Sequence, residues 1–134
     1  MRRAFLLDTC ALLFTLARDD RFAAVEARLE REGEAVLVSP ISAWEIGMLS
    51  AKGRLALGRE PLAWFDDFVK REATLAPLTP EILVQASFLP HCRLRDPADQ
   101  IIAATARALG AIVVTRDRLL LDYAEAGWMK AIAC

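Results

Sequence analysis

The sequence is poor in the residues that most often bind transition metals. It holds one histidine and three cysteines, Cys10, Cys92 and Cys134, among its 134 residues. The cysteines are odd in number and show no Cys-x-x-Cys spacing, which argues against both a disulfide framework and a zinc site. Because unpaired cysteines fit a reducing compartment, we expect a cytoplasmic location. Cys10 is interpreted as a small buried hydrophobic residue.

The sequence also lacks an excess of charge of either sign. Its 17 lysines and arginines stand against 18 aspartates and glutamates, which gives a formal net charge of −1. This balance excludes a strong overall positive field. Any contact with a polyanion such as nucleic acid must therefore be local.

Long hydrophobic runs are absent as well. The apolar stretch from Ala4 to Ala17, behind Arg2 and Arg3, resembles a secretory signal. Asp8 interrupts this stretch, and a signal core tolerates an ionised group poorly. A buried strand that ends at Asp8 explains the same residues. No other stretch approaches transmembrane length, so we expect no membrane association.

The sequence does have a hydrophobic content of 55%, which is enough for one continuous core. Its length predicts a single domain over residues 1–134. Short apolar runs bounded by polar or turn residues predict strands at Phe5 to Leu7, Ala35 to Val38, Thr74 to Ala76, Ala111 to Val114 and, more weakly, Met129 to Ile132. Because these runs are continuous rather than alternating, they are typical of a parallel sheet covered on both faces.

Helical stretches separate the predicted strands. The main ones are Arg21 to Glu32, Pro40 to Lys52, Pro61 to Glu72, Pro80 to Phe88 and Pro97 to Leu109. Ser39, Thr79 and Asp96 each stand before a proline, which is the pattern of an N-cap followed by proline at the first helical position. Gly110 supplies a left-handed stop. The alternation predicts an α/β doubly wound sandwich, with a mostly parallel sheet of four to five strands flanked by helices.

Two aspartates follow predicted strands. Asp8 comes directly after Phe5 to Leu7, and Asp117 comes shortly after Ala111 to Val114. Because the carboxyl ends of parallel strands meet at one edge of a sheet, we expect both carboxylates at that edge. The alternative is that each aspartate only caps the helix that follows it. The agreement between the two positions favours a functional site.

Glu45 is a third acidic residue of interest, because it lies on the apolar face of its predicted helix. It shares one face of its predicted helix with Ile41, Met48 and Leu49, so its carboxylate is expected to be partly buried. A buried carboxylate requires a partner, which can be a metal ion or an arginine. The alternative is a capping box, in which Glu45 folds back onto a helix that starts at Ser42.

Asp99 stands in the first turn of the last long helix. It shares a face with Ile102, Ala103 and Ala106, the surface expected to lie against the sheet, and this placement predicts an inward orientation. Asp96, three residues earlier, is better explained as the N-cap.

Four converging carboxylates repel one another unless a cation lies between them. All-oxygen ligands favour Mg²⁺ or Mn²⁺, which can activate water for the hydrolysis of a phosphodiester bond. Thr9 and Thr115 are supporting polar residues, which either orient the carboxylates or cap turns. We therefore expect a catalytic metal site made of Asp8, Glu45, Asp99 and Asp117.

These residues lie in four ordered motifs that span nearly the whole chain. The motifs are Leu6-Leu7-Asp8-Thr9, Ser42-Ala43-Trp44-Glu45-Ile46, Asp96-Pro97-Ala98-Asp99 and Val114-Thr115-Arg116-Asp117. Each motif is weak alone, but the ordered set resembles the PIN-domain ribonucleases, in particular the toxins of VapC-type toxin-antitoxin pairs.

The resemblance implies a PIN-like fold and a metal-dependent endoribonuclease that cleaves RNA. It implies that Asp8, Glu45, Asp99 and Asp117 bind Mg²⁺ or Mn²⁺, that Asp96 assists in some members, and that Thr115 is a supporting polar group. It also implies a cognate antitoxin as a partner and a homodimer.

The sequence departs from the pattern of such toxins at two positions. They often have arginine after the third carboxylate, where this chain has Gln100, and histidine just before the Asp-Pro pair, where it has Leu94-Arg95. Neither departure removes a metal ligand. Both lie where substrate contacts are expected.

Arginines close to the acidic motifs are candidates for contacts with RNA phosphates. Arg95 and Arg116 are the first candidates, and Arg93 and Arg118 are further ones. The alternative is that they are solvated side chains at helix ends. Trp44 and Trp64 are interpreted as core residues or dimer anchors rather than as platforms for bases.

Rival functions make different demands on the sequence. A receiver-like signalling domain requires an aspartate at the end of the third strand, where Pro77-Leu78-Thr79 stands, and a phosphatase of the haloacid-dehalogenase type requires a second aspartate at the position of Cys10. A catalytically inactive PIN-like interaction module should lack carboxylates of the set. All four are present, which favours catalysis.

Overall fold

The architecture is a five-stranded sheet with helices on both faces. A computed structural model describes residues 3–17, 19–32 and 35–134. The strands are β1 (Ala4–Leu7), β2 (Ala35–Val38), β3 (Thr74–Leu75), β4 (Ile112–Thr115) and β5 (Lys130–Ala133). They lie in the order β3-β2-β1-β4-β5, and each neighbouring pair is parallel.

Seven helices connect the strands within the described residues. They are α1 (Thr9–Ala17), α2 (Asp20–Arg31), α3 (Pro40–Ala51), α4 (Pro61–Glu72), α5 (Pro80–Gln85), α6 (Pro97–Leu109) and α7 (Arg118–Glu125). The three predicted N-caps are confirmed, because the side chains of Ser39, Thr79 and Asp96 each accept a backbone hydrogen bond from the helix that follows. Gly110 ends α6 with φ of 65°.

Strand β1 lies in the middle of the sheet because both of its faces are apolar. Leu6 packs into the core formed with α6 and α7, whereas Phe5 and Leu7 pack into the opposite core with α1 to α4. All three side chains are buried, and each contributes roughly 1.5–3 kcal/mol through the removal of apolar surface from water. The continuous apolar run thus reflects a strand covered on two sides.

Some predicted bounds were wrong. Strand β3 ends at Leu75 rather than Ala76, and β4 and β5 each lie one residue later than predicted. Helix α5 ends at Gln85, because the chain continues in a tight turn in which the backbone N–H of Phe88 bonds to the carbonyl of Gln85 at 2.9 Å. Phe88 is therefore an exposed turn residue instead of the end of a helix.

The apolar stretch near the start of the chain forms β1 and α1, as the strand interpretation required. Arg2, part of the possible signal sequence, lies outside the described residues. None of the helices in residues 3–17, 19–32 and 35–134 is both long enough and apolar enough to cross a membrane.

Candidate active site

The candidate site lies where the chain order reverses across the sheet. Strand β1 has β2 on one side and β4 on the other, and ligands of open α/β sheets gather beside such a reversal, at the carboxyl ends of the strands. Leu7 pairs with Val114 in register, and the backbone N–H of Asp8 bonds to the carbonyl of Val114 at 3.1 Å. Asp8 therefore lies beside Thr115 at this edge.

Asp8 is a buried carboxylate, with 3% of its surface exposed. Its Oδ1 accepts a hydrogen bond from the backbone N–H of Ala11 at 2.7 Å, and its Oδ2 accepts one from the hydroxyl of Thr115. Burial raises the pKa of Asp8, these two hydrogen bonds oppose the rise, and the charge of Asp117 adds to it. The predicted cap on the following helix exists, yet it uses only one of the two carboxylate oxygens.

Asp117 is placed by its own cap and by Thr115. Its Oδ2 accepts a hydrogen bond from the backbone N–H of Leu120 at 2.9 Å, which makes Asp117 the N-cap of α7. Its backbone N–H donates to the hydroxyl oxygen of Thr115 at 3.0 Å. The fully buried threonine therefore contacts both strand-end aspartates.

Glu45 reaches the same edge from α3. The hydroxyl of Thr9 donates a hydrogen bond to Oε1 of Glu45 and lies 2.9 Å from the hydroxyl of Ser42. A hydroxyl has one hydrogen, so Ser42 donates to Thr9 and Thr9 donates to Glu45. The capping-box alternative is wrong, because α3 begins after Ser39 and the carboxylate of Glu45 bonds to Thr9 instead.

The pKa of Glu45 is raised from its usual value by the surroundings of the carboxylate. Burial raises this pKa, the hydrogen bond from Thr9 lowers it, and the charges of Asp96 and Asp8 raise it further. Ser42, which the sequence suggested only as a cap, is fully buried and is the second member of this hydroxyl pair.

Asp99 carries the strongest electrostatic evidence for convergence. It lies half-buried in the first turn of α6, behind the N-cap Asp96, which accepts from the backbone N–H of Ala98 at 2.8 Å. Burial raises the pKa of Asp99 to about 7, and neighbouring carboxylates add to the rise. In decreasing order of effect these neighbours are Asp96, Asp117, Asp8 and Glu45. All four predicted ligands thus share one electrostatic environment.

The side chains do not form a ready-made metal cage. Within the described ranges, no three His, Cys, Asp or Glu residues are grouped closely enough to hold a metal ion. The donor chemistry is nevertheless that of a hard cation, because the available groups are carboxylate and hydroxyl oxygens. Their mutual effect on pKa shows that added positive charge would be favourable here.

Comparison with known proteins identifies the family. The sequence pattern of the PIN domain matches residues 5–126. The chain belongs to the PIN domain family. It is 30% identical to Ribonuclease VapC22 of Mycobacterium tuberculosis over 118 residues, which cover 88% of this chain and 90% of that protein. The resemblance that the four motifs indicated is confirmed, and the receiver-like and phosphatase alternatives are excluded.

Solved structures confirm the predicted PIN-like fold. One is VapBC2 from Rickettsia felis bound to a DNA fragment from their promoter, with a TM-score of 0.73, 15% identity and coverage of 98% of both chains. Another is DNA-bound VapBC from Salmonella typhimurium, with a TM-score of 0.64, 23% identity and coverage of 99% of this chain and 98% of that one.

Arg116 of this PIN domain is engaged within the protein. Its terminal nitrogens bond to the carboxylate of Asp19 at 2.9 and 3.2 Å, and its Nε donates to the carbonyl of Cys134 at 2.8 Å. The guanidinium also lies 3.8 Å from the ring centre of Phe14. These contacts are a correction to the expectation that Arg116 is available for RNA phosphate, because they already occupy the guanidinium.

The other arginines of the predicted set fall into two groups. Arg118 pairs with Asp122 at 2.8 Å and with Glu125 at 3.0 Å along α7. Arg93 and Arg95 are exposed, and neither forms an ion pair with any residue that the structure describes.

The two departures from the family pattern contact each other. Nε2 of Gln100 donates a hydrogen bond to the carbonyl of Leu94 at 2.6 Å. The glutamine thus joins the first turn of α6 to the segment that carries the arginines.

The burial predicted for Cys10 was wrong, because its side chain is exposed. Partial burial, and then the charges of Asp8, Glu45, Asp99 and Asp117, raise the pKa of its thiol to about 11, so Cys10 lies near these carboxylates. Trp44 is 57% exposed, which excludes a core position and leaves the dimer anchor as a prediction. Trp64 is half-buried and stacks on Phe68, with ring centres 5.9 Å apart.

Proposed function

We propose that this PIN domain, over residues 1–134, is a metal-dependent endoribonuclease that acts as the toxin of a toxin-antitoxin pair. The observation that carries the proposal is the shared position of Asp8, Asp117 and Glu45 at one edge of the sheet, where Thr115 contacts both aspartates and Thr9 bonds to Glu45. The pKa of Asp99, which burial and the neighbouring carboxylates raise to about 7, supports this convergence. RNA as the substrate is supported by the 30% identity to Ribonuclease VapC22.

Asp8, Glu45, Asp99 and Asp117 would hold the metal, and Asp96 would add negative charge from its capping position. A bound Mg²⁺ or Mn²⁺ would supply activated water and charge stabilisation for cleavage of a phosphodiester bond. Thr115 fixes the rotamer of Asp8, and Thr9 fixes that of Glu45, through the hydrogen bonds described above. Such partners of metal ligands orient them and adjust their basicity.

The direct test is RNA cleavage by the purified chain in Mg²⁺ or Mn²⁺. We expect Asp8→Asn and Asp99→Asn to abolish cleavage while circular dichroism shows a folded protein. Asp66→Asn is the matched control, because Asp66 is exposed on α4 and the same chemical change there leaves activity intact. Full cleavage in excess chelator contradicts the proposal. Absence of cleavage by the wild type in either metal favours an inactive interaction module.

A cognate antitoxin is the proposed protein partner. The support is the similarity in fold to the VapBC assemblies from two organisms. Co-expression with the product of a small neighbouring reading frame should yield a complex with reduced RNA cleavage. A product that neither binds the chain nor reduces cleavage speaks against this partner.

We also propose a homodimer in the cytoplasm. Exposed apolar residues on and after α5, namely Leu83, Val84 and Phe88, are the kind of surface that self-association covers. Analytical ultracentrifugation of the wild type and of Phe88→Ser tests the dimer, and a monomeric wild type at high concentration contradicts it.

A further inference from the structure

A groove lies between α7 and the segment 90–95, outside the carboxylate site. Its volume is about 680 Å³ and its walls include His91, Arg93, Leu119, Asp122, Tyr123 and Trp128. This volume falls within the range of about 300–1,000 Å³ that is typical of ligand sites. None of the proposed metal ligands lines the groove, so it requires its own explanation.

Stacked aromatic rings form one end of the groove. The rings of His91 and Trp128 are stacked, with centres 5.0 Å apart and planes inclined by 23°. His91 is exposed, so its ring is accessible from solvent. Among the residues described, it is the one non-glycine residue with positive φ, at 49°. Such a backbone conformation is uncommon for a residue with a side chain and often marks a functional position.

The segment that carries Arg93 is fixed on both sides. The hydroxyl of Tyr123 donates to the carbonyl of Pro90 at 2.9 Å, and the side chain of Gln100 donates to the carbonyl of Leu94. Arg93 lies between these two attachments and is exposed. Its positive charge is therefore presented from an ordered segment, which lowers the entropy cost of binding an anion.

Both walls of the groove contain residues that are close in the chain to aspartates of the carboxylate site. Arg93 stands three residues before Asp96, a chain length of at most about 10 Å. Leu119 stands two residues after Asp117, a chain length of at most about 7 Å. A substrate strand with its scissile phosphate at the carboxylates therefore has neighbouring nucleotides within reach of the groove.

We propose that this groove binds an unpaired base of single-stranded RNA next to the scissile phosphate, through stacking on His91 and a phosphate contact with Arg93. The inference rests on the proposed ribonuclease function. Stacking on aromatic rings accepts any base, and arginine contacts to phosphate position a strand without reading its sequence. A polyanion fits better than a protein segment, because the one acidic side chain of the groove lining, Asp122, is paired with Arg118, whereas Arg93 is unpaired within the described residues. Arg118 also pairs with Glu125, which does not line the groove.

The first test measures binding of a fluorescein-labelled, mixed-sequence single-stranded RNA oligonucleotide in EDTA, where cleavage is prevented. His91→Asn removes the ring but suits the left-handed backbone, and we expect binding about tenfold weaker, the loss of one stacked base. Arg93→Gln should lower the salt dependence of log K by about one, the value for one phosphate contact. Arg54→Gln, at an exposed arginine after α3, is the matched control and should bind as the wild type does.

A second measurement uses the wild-type protein, so it does not depend on the folding of variants. The indole N–H resonances of Trp44, Trp64 and Trp128 are followed by NMR during titration with the same RNA. We expect the Trp128 resonance to shift most. Unchanged affinity of both groove variants, an unmoved Trp128 resonance at saturation, or no RNA binding at all overturns the inference. So does a change in self-association without a change in RNA affinity, because the groove is then a protein interface.

Cleavage assays separate this inference from the proposed function. In Mg²⁺ or Mn²⁺ we expect His91→Asn to raise KM and leave kcat unchanged. If the wild type cleaves RNA and both groove variants keep its KM, the RNA-binding role of the groove is wrong and the nuclease function stands. If RNA binding depends on His91 and Arg93 but the wild type does not cleave RNA, the nuclease function is wrong and the RNA-binding role of the groove stands.

Discussion

The hydroxyl of Thr115 joins the two strand-end aspartates, because it donates to Oδ2 of Asp8 and accepts from the backbone N–H of Asp117 at 3.0 Å. One buried side chain thus couples the end of β1 to the start of α7. The same hydroxyl therefore holds the carboxylate of Asp8 and the backbone of Asp117.

Thr115→Val removes the hydroxyl and keeps the shape of the side chain. The buried carboxylate of Asp8 then lacks one partner, and we expect a loss of about 1–3 kcal/mol in the free energy of unfolding. Weaker binding of Mn²⁺ should accompany this loss. Denaturant unfolding in EDTA and calorimetric titration with Mn²⁺ measure the two effects. Thr115→Ser keeps the hydroxyl and should resemble the wild type, whereas full activity of Thr115→Val would refute this role.

Asp99→Asn should stabilise the metal-free protein while it abolishes cleavage. The folded protein holds the Asp99 proton up to a pH of about 7, whereas the unfolded chain loses it near 3.8. Folding therefore binds a proton between these values, and the contribution of Asp99 to stability falls as the pH rises through this window. We expect a flatter dependence of Tm on pH for the variant in EDTA. An equally steep dependence in Asp99→Asn and Asp66→Asn would contradict this assignment.

Metal binding should release a proton from Asp99. Because a metal ion binds the ionised carboxylate, affinity for Mn²⁺ should rise as the pH approaches about 7 and then level off. Calorimetry in buffers of different ionisation enthalpy measures the protons released. Asp96→Asn is the informative variant. After burial, the charge of Asp96 makes the largest contribution to the raised pKa of Asp99, and asparagine can still cap α6. In this variant the dependence of Mn²⁺ affinity on pH should move to lower pH, and an unmoved dependence counts against the coupling.

The hydroxyls of Ser42 and Thr9 should affect activity because they hold the carboxylate of Glu45. Thr9→Val removes the hydrogen bond to the carboxylate, and we expect a loss of about 10–100-fold in activity, as for other partners of metal ligands. Ser42→Ala leaves that bond in place and should have a smaller effect. Steady-state cleavage with a folded-state control measures both. Recovery in Thr9→Ser is expected, and equal losses in the serine and valine variants would point to packing instead.

The ion pair of Arg116 and Asp19 should stabilise the fold rather than bind RNA. The hydrogen bond from Arg116 lowers the pKa of Asp19 to about 2, so the stability that it contributes is present above 3.8 and is lost as the pH falls toward 2. Arg116→Gln should lower Tm at neutral pH, and Arg116→Lys should restore only part of it, because lysine lacks the planar fork. Thermal unfolding and RNA binding in EDTA measure the two properties. A large loss of RNA affinity with an unchanged Tm would reverse this conclusion.

The features that the sequence predicted well depend on neighbouring residues. Ser39 before Pro40 and Asp96 before Pro97 specify helix starts through contacts within one turn. The apolar run at β1 marks a strand buried on both faces, and the position of Asp8 at the sheet edge follows from that assignment.

The features that the sequence did not predict depend on residues far apart in the chain. Asp19 and Arg116 are 97 positions apart, and no periodicity relates them. The bond from Thr9 to Glu45 spans 36 positions and forms because α1 and α3 both follow central strands of the sheet. The end of α5 was placed too late, because the Ala86 to Phe88 segment is apolar enough to continue a helix but its backbone turns instead.

The position of β1 in the sheet also affects the order in which the proposed site is completed during synthesis. Its neighbours are β2, which comes early in the chain, and β4, which begins only at Ile112. A nascent chain that has reached β3 contains Asp8 and Glu45 but neither Asp99 nor Asp117. The proposed carboxylate set is therefore incomplete until residue 117 has been synthesised, and this delay follows from the connectivity of the sheet.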